Sequence, residues 1–322
     1  MRRPIALLLL VLLGVLAAGC QRAEQGQAET PPGPGYRVVL QWGSPGSGPG
    51  EFNGVQGLAV DAEGQVYAAD AENCRLQVFD PAGKFLRAWG RCGDAPGEFR
   101  KPIDVAVDAT GQIYVVDFML DRLQVFDPQG KFLRTWGRPG HRRGEFSAPV
   151  GVAVDADGHV YISEFYNHRV QRFTLQGKFL SLWGGDGNAE GQLHYPGKLS
   201  IAPDGNLYLA DTHNYRIQKF DPRGRFLGSW GRAGTWKGQF QDPFDVVVDE
   251  KGNMHVADSD NRRVQWLSAE GEFVAEWILP EQEGAKFQSP TALVQDARGF
   301  VYVSDIANNR IYKLEVVGGE GK

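Results

Sequence analysis

The chain has 322 residues, of which 42 are glycine and 18 proline; glycine at about 13%, roughly twice its usual share, makes the chain turn too often for a helical bundle. A hydrophobic content of 42% with 11% aromatics excludes a disordered chain, which buries too little apolar surface to offset its ordering entropy. The formal charge is −5, and −7 once residues 1–19, with two Arg and no acid, are set aside, so no nucleic-acid partner is expected.

Arg2 and Arg3 precede an unbroken apolar run from Ile5 to Leu13, and small residues follow up to Cys20. This is the charged, apolar, small-residue order of a secretory signal, and it is too short for a comfortable membrane span. Leu16-Ala17-Ala18-Gly19-Cys20 resembles a bacterial lipobox, whose cysteine receives a diacylglyceryl group and becomes the mature N-terminus. That resemblance implies a lipoprotein held in the bacterial cell envelope through Cys20, facing the periplasm or the exterior. Residues 20–35 read as a lipidated flexible tether; the fifteen after Cys20, residues 21–35, show no apolar periodicity and span roughly 20 Å root-mean-square.

The rest of the chain is one repeat. Asp70, Asp117, Glu164, Asp211, Asp258 and Asp305 lie 47 residues apart, as do Arg75, Arg122, Arg169, Arg216, Arg263 and Arg310. Trp42, Trp89, Trp136, Trp183, Trp230 and Trp277 keep the same step. Within one unit, Val105 to Asp108 is a short apolar run, Ile113 to Val116 a second strand, Arg122 to Phe126 a third and Phe132 to Trp136 a fourth. Ala109-Thr110-Gly111 and Asp127-Pro128-Gln129-Gly130 supply the turns,. Four short antiparallel strands per unit of this length predict an all-β, six-bladed β-propeller over residues 36–317. Val38 to Gly43 matches the fourth strand of later units and precedes any first strand, while the last unit lacks its own Trp-bearing strand. The N-terminal strand is therefore expected to complete the final blade and pair two otherwise open sheet edges.

Asp211-Thr212-His213-Asn214-Tyr215-Arg216-Ile217-Gln218-Lys219-Phe220 resembles the core of an NHL repeat, as does Ala307-Asn308-Asn309-Arg310-Ile311. The resemblance spans residues 37–316 and implies the propeller fold. Its family ranges over RNA-binding domains, peptide-amidating lyases, protein-interaction modules and sensor domains, so fold alone assigns no activity. In the amidating lyases, zinc-binding histidines follow the proline that opens the innermost strands. The matching positions here are Gln56, Ile103, Val150, Gly197, Phe244 and Thr291, none of them histidine, so that activity and its metal are not expected.

The Asp, Arg and Trp columns recur in every unit and read as scaffold, because one active site does not need six copies. Function belongs where the repeats disagree. The innermost strands are expected to begin at Gly57, Asp104, Gly151, Lys198, Asp245 and Ala292, on a top face shared with the loops between second and third strands. Asp104 and Asp245 should face each other across the channel mouth, with Lys198 beside Asp245. The blade 2 loop reads Asp117-Phe118-Met119-Leu120-Asp121 and blade 3 has Phe165-Tyr166, apolar side chains expected to meet water as a contact surface. His194, Tyr195, Trp236 and Phe244 should cross the same face.

His168, His194 and His213 fit no helix-borne or turn-borne zinc motif, and no cofactor or metal is expected. No nucleophile elbow, phosphate loop or paired-cysteine metal motif appears. Cys74 and Cys92 both fall on the top face, where export would permit a disulfide. The reading is a binding module for a protein, peptide or small ligand, using Asp104, Phe118, Met119, Phe165, Tyr166, Lys198, His213, Phe244 and Asp245. The alternative is an enzyme of lyase or lactone-hydrolase type at the channel mouth.

Overall fold

The computed structural model describes residues 34–278 and 288–318. The expected signal, Cys20 and nearly all of the tether lie outside the described residues. Six four-stranded antiparallel sheets are arranged as propeller blades with almost no helix. Blade 1 holds Val55–Val60, Val66–Asp70, Arg75–Phe79 and Phe85–Trp89, and the later blades follow in the same order. In blade 6, Pro290–Gln295, Val301–Asp305 and Arg310–Val317 share their sheet with Gly35–Trp42. That strand runs antiparallel to the third, from Gly35 opposite Val317 to Trp42 opposite Ile311.

Burial explains the strand sequences. Each second strand is buried on both faces, as in Val66–Asp70 and Ile113–Asp117, because neighbouring blades cover it front and back. The fourth strands of blades 1 to 4 alternate between half-buried and exposed, as in Phe85–Trp89, which is the period-two pattern of an outer edge. The core lies between blades: Val116 and Leu123 of blade 2 pack with Val150 and Ile162 of blade 3. Trp42, Trp89, Trp136 and Trp183 each reach a third-strand Phe of the next blade, with ring centroids 5.8 Å apart for Trp42–Phe79, 6.0 Å for Trp89–Phe126 and 6.1 Å for Trp183–Phe220. Trp230 instead stacks on Tyr208 of its own blade, and Trp277 meets Tyr312. Such pairs are worth about 0.5–1.5 kcal/mol beyond their buried area.

The recurring carboxylate ties each loop to the incoming chain. Asp70 accepts the Asn53 N–H at 2.7 Å, the Asn73 amide at 2.9 Å, Arg75 Nε at 2.8 Å and Gln77 Nε2 at 3.1 Å. Asp–Arg or Glu–Arg pairs recur in blades 3, 4 and 5. Blade 2 departs from the expected pairing, since Arg122 donates to the carbonyls of Asp94, Ala95 and Glu98 instead.

Except in blade 4, the innermost strands start earlier than the sequence suggests. They open at Val55, Pro102, Pro149, Pro243 and Pro290, and in blade 4 the strand is only Leu199–Ile201. A proline at the first strand position lacks only an N–H that the ladder does not use. A register shift follows, between Val55 and Gly57 and between Pro102 and Asp104, so the residues expected at the strand starts sit just past a bulge. Glycine is required at two of them by close approach. A Cβ on Gly57 would lie 2.6 Å from Asp104 Cα, and one on Gly151 would lie 2.9 Å from Lys198 Cα.

Candidate functional site

The innermost strands face the axis; in blades 2 and 5 the bulge aims the third residue, Asp104 or Asp245, into the channel, whereas Lys198 stands just before the short blade 4 strand. Asp104, Lys198 and Asp245 meet there, each almost wholly buried. Lys198 does not sit chiefly beside Asp245, as expected: its Nζ donates to Asp104 Oδ1 at 2.9 Å and to the Gln56 carbonyl. Lysine is long enough to cross the axis from blade 4 to blade 2. The charges also do not form a solvated rim, because the inner strands close around them.

Asp104 Oδ2 accepts the Val152 N–H at 3.0 Å, and Asp245 accepts Val246 and Leu293 N–H groups at 2.8 Å each. The Val152 and Leu293 bonds satisfy backbone donors of the next blade, while the Val246 bond is local to Asp245's own strand,. Burial pushes both carboxyls up, Asp245 to about 7; the Lys198 ammonium pulls it down and the Asp104 charge pushes it up further. Beyond this plug a cavity of about 410 Å³ runs past Val107, Val154 and Val248 toward the face opposite the long loops.

The loop-bearing face over blades 2 to 4 carries a run of rings. Phe118 lies 6.4 Å from Tyr166, Tyr166 5.3 Å from Phe165, Phe165 4.9 Å from Tyr195 and Tyr195 4.8 Å from His213. Met119 is 58% exposed and Tyr166 57%. Phe118, Phe165 and Phe244, expected to meet water, are instead half-buried and packed against the core cluster of blades 2 and 3. Short loops fold back onto the blades, so alternate rings turn inward. Leu120, His194 and Tyr195 are also half-buried, His213 is exposed, and Trp236 stands well out at 77%.

The histidines that share no motif are brought together. His168 and His194 stack with ring centroids 5.4 Å apart, and His194 lies 5.8 Å from His213. Asp186, which no sequence motif singles out, accepts or shares a proton with His194 Nδ1 at 2.8 Å. That bond holds the Asp186 carboxyl below its usual range, and burial lowers His168. One donor atom each from His168, Asp186 and His194 lies within 4.8 Å of the others, a set able to hold a metal. Asp155, Asp157 and His159 are similarly close, but Asp155 is already used by the His159 N–H and the Tyr161 hydroxyl of its own turn. Cys74 and Cys92 are joined by a disulfide, with Cα atoms 5.0 Å apart.

Residues 146–173 and 193–220 match the NHL repeat, and residues 61–127 match a family described as a 6-bladed beta-propeller. A 47-residue stretch is 47% identical to the E3 ubiquitin-protein ligase TRIM71 of Rattus norvegicus, covering 15% of this chain and only 6% of that relative. Virginiamycin B lyase from Staphylococcus aureus superposes with a TM-score of 0.61 at 14% identity, over 88% of this chain and all of that one. A gluconolactonase from Xanthomonas campestris gives 0.61 at 14%, over 82% of this chain and 86% of its own. Likeness at such identity speaks to the fold alone. Repeats, sheet order and family matches agree: the chain is a six-bladed β-propeller that carries NHL repeats at residues 146–173 and 193–220.

Proposed function

We propose that this propeller is a lipid-anchored, extracytoplasmic binding module whose contact surface is the loop-bearing face over blades 2 to 4. The observation that carries the reading is the unbroken run of rings from Phe118 to His213, with Tyr166 exposed within it and Met119 exposed next to Phe118 in the chain. Exposed aromatic and Met side chains backed by packed rings are the make-up of an interface hot spot. The acidic and basic groups of the channel are almost wholly buried and hydrogen-bonded across blades, which gives them a structural part in holding neighbouring blades, while Asp104 and Asp245 also line the cavity beside them.

Tyr166→Ala and Met119→Ala are expected to lower capture of envelope partners at least tenfold, about 1.4 kcal/mol each, while leaving the melting curve within about a degree. Phe118→Ala, whose ring is half core, should cost about 2 kcal/mol of stability. Normal binding by both exposed-residue variants would sink the reading. The anchor is checked separately: Cys20→Ala should release the chain from washed membranes, and a variant that stays bound would refute lipid attachment at that residue.

A second reading rests on Asp245, a buried carboxyl raised to about 7 beside Lys198 and Asp104, which is how a general acid is held protonated near neutrality. It assigns a lyase or lactone-hydrolase type of activity to the channel. Turnover of a lactone by wild type and its loss in Asp245→Asn would favour it over the binding module.

A further inference from the structure

We propose that His168, Asp186 and His194 form a binding site for a divalent transition metal of the Zn2+ type, on the loop-bearing face between blades 3 and 4. The site goes beyond the contact surface described above and does not depend on it. Its donors are two imidazoles and a carboxylate, the mixed set that suits zinc and its neighbours rather than Mg2+ or Ca2+. Their donor atoms already lie within 4.8 Å of one another. Ligand atoms around one tetrahedral ion lie about 3.3–3.6 Å apart, with bonds of about 2.0–2.2 Å. Asp186 has an exposed side chain, 65% accessible, and is free to make the adjustment.

An independent feature of the repeat supports the same pairing. His168 and Asp186 stand two repeats after Cys74 and Cys92, in the same two columns. In blade 1 those columns are joined covalently, with Cα atoms 5.0 Å apart. The propeller scaffold thus brings this pair of positions into bonding reach, and in blade 3 it presents a histidine and an aspartate to each other. His194 supplies the third corner, its Nδ1 2.8 Å from Asp186 Oδ1 and its ring parallel to that of His168 within 7°. Three protein ligands leave a fourth position for water or for His213, whose ring is 5.8 Å from that of His194,.

His168 Nδ1 also accepts the Tyr195 N–H at 3.0 Å. The same register position does this elsewhere: Asp121 accepts the Ala148 N–H at 2.7 Å and Asn309 the Gly54 N–H at 2.6 Å. A metal on that nitrogen therefore replaces one backbone hydrogen bond by a coordinate bond. This gives a clean variant. His168→Asn keeps the acceptor, as Asn309 does, tolerates the left-handed backbone at φ 52°,, and removes the imidazole.

The test is calorimetric titration of the purified full chain, free of any polyhistidine tag, with Zn2+ alone and then with Mg2+ and Ca2+. Wild type should bind one Zn2+ per chain and neither of the other ions with comparable affinity. His168→Asn and Asp186→Asn should each weaken Zn2+ binding at least about tenfold, with metal-free melting curves unchanged. Co2+ substitution should give the visible absorption of a four-coordinate ion in wild type and lose it in both variants. Absence of a stoichiometric Zn2+ site would overturn the proposal. So would unaltered binding in the two variants, which would place the metal elsewhere, such as at Asp155, Asp157 and His159.

Discussion

His255 occupies the column that holds Tyr67, Tyr114, Tyr161, Tyr208 and Tyr302. In blades 1, 2, 3 and 6 the tyrosine hydroxyl donates to the aspartate of the preceding turn, at 2.8–3.1 Å. The shorter imidazole leaves its Nε2 4.0 Å from Asp249, and the Tyr36 hydroxyl meets its Nδ1 at 2.6 Å. Burial pushes His255 from 6.5 down to about 4. In the unfolded chain the ring protonates near 6.5, so its contribution to stability is complete above that pH and is lost as pH falls toward 4. The full loss is about 3 kcal/mol. His255→Tyr should remove it, so urea midpoints at pH 7 and 4.5 should differ less for the variant than for wild type. Equal differences would contradict a neutral, buried imidazole.

Among the strands, Gly35–Trp42 has the most to test. It pairs along Arg310–Val317, places Trp42 5.8 Å from Phe79 and 6.2 Å from Tyr302, and carries the Tyr36 that meets His255. Deleting residues 36–43 removes all of these at once, and the melting temperature is expected to fall by about 10 °C or more. An unchanged curve would mean that the ring does not depend on this strand. Element boundaries were less legible than element order. The strands Ile113–Asp117 and Arg122–Phe126 lie where alternation and turn residues put them, within one residue. The inner strands began earlier because the bulge after Pro102 or Val55 breaks the period-two pattern, and a sequence carries no mark of the slip.

Across the whole ring, the channel charges join blades that never touch along the chain. Asp245 is raised from 3.8 to about 7 by burial. As pH rises from 4 to 7 the unfolded chain ionises this carboxyl while the fold keeps it protonated. Its contribution is therefore fully present below 3.8 and lost by about pH 7, a swing of up to about 4 kcal/mol. In Asp245→Asn this dependence vanishes. The stability of the variant relative to wild type should climb between pH 4 and 7 and then level off. A difference that stays flat with pH would show that Asp245 is ionised throughout, and would remove the ground for reading it as an acid.

Blade number, strand order and the scaffold columns follow from the sequence itself, because a 47-residue step recurs in the acidic, Arg and Trp columns, and strand and turn signals are local in the chain. The tertiary structure decided the rest. Lys198 and Asp104 are 94 residues apart and meet only because the ring closes around a lysine long enough to span it. Whether Phe118 faces water or core depends on how tightly its loop folds back, and Tyr166 one blade away takes the opposite course. Asp186 meets His168 through the same two repeat columns that the Cys pair bridges two repeats earlier, and His194 joins them from the neighbouring connection. Periodicity is written along the chain, whereas burial, charge pairing and side-chain convergence are properties of the space between blades.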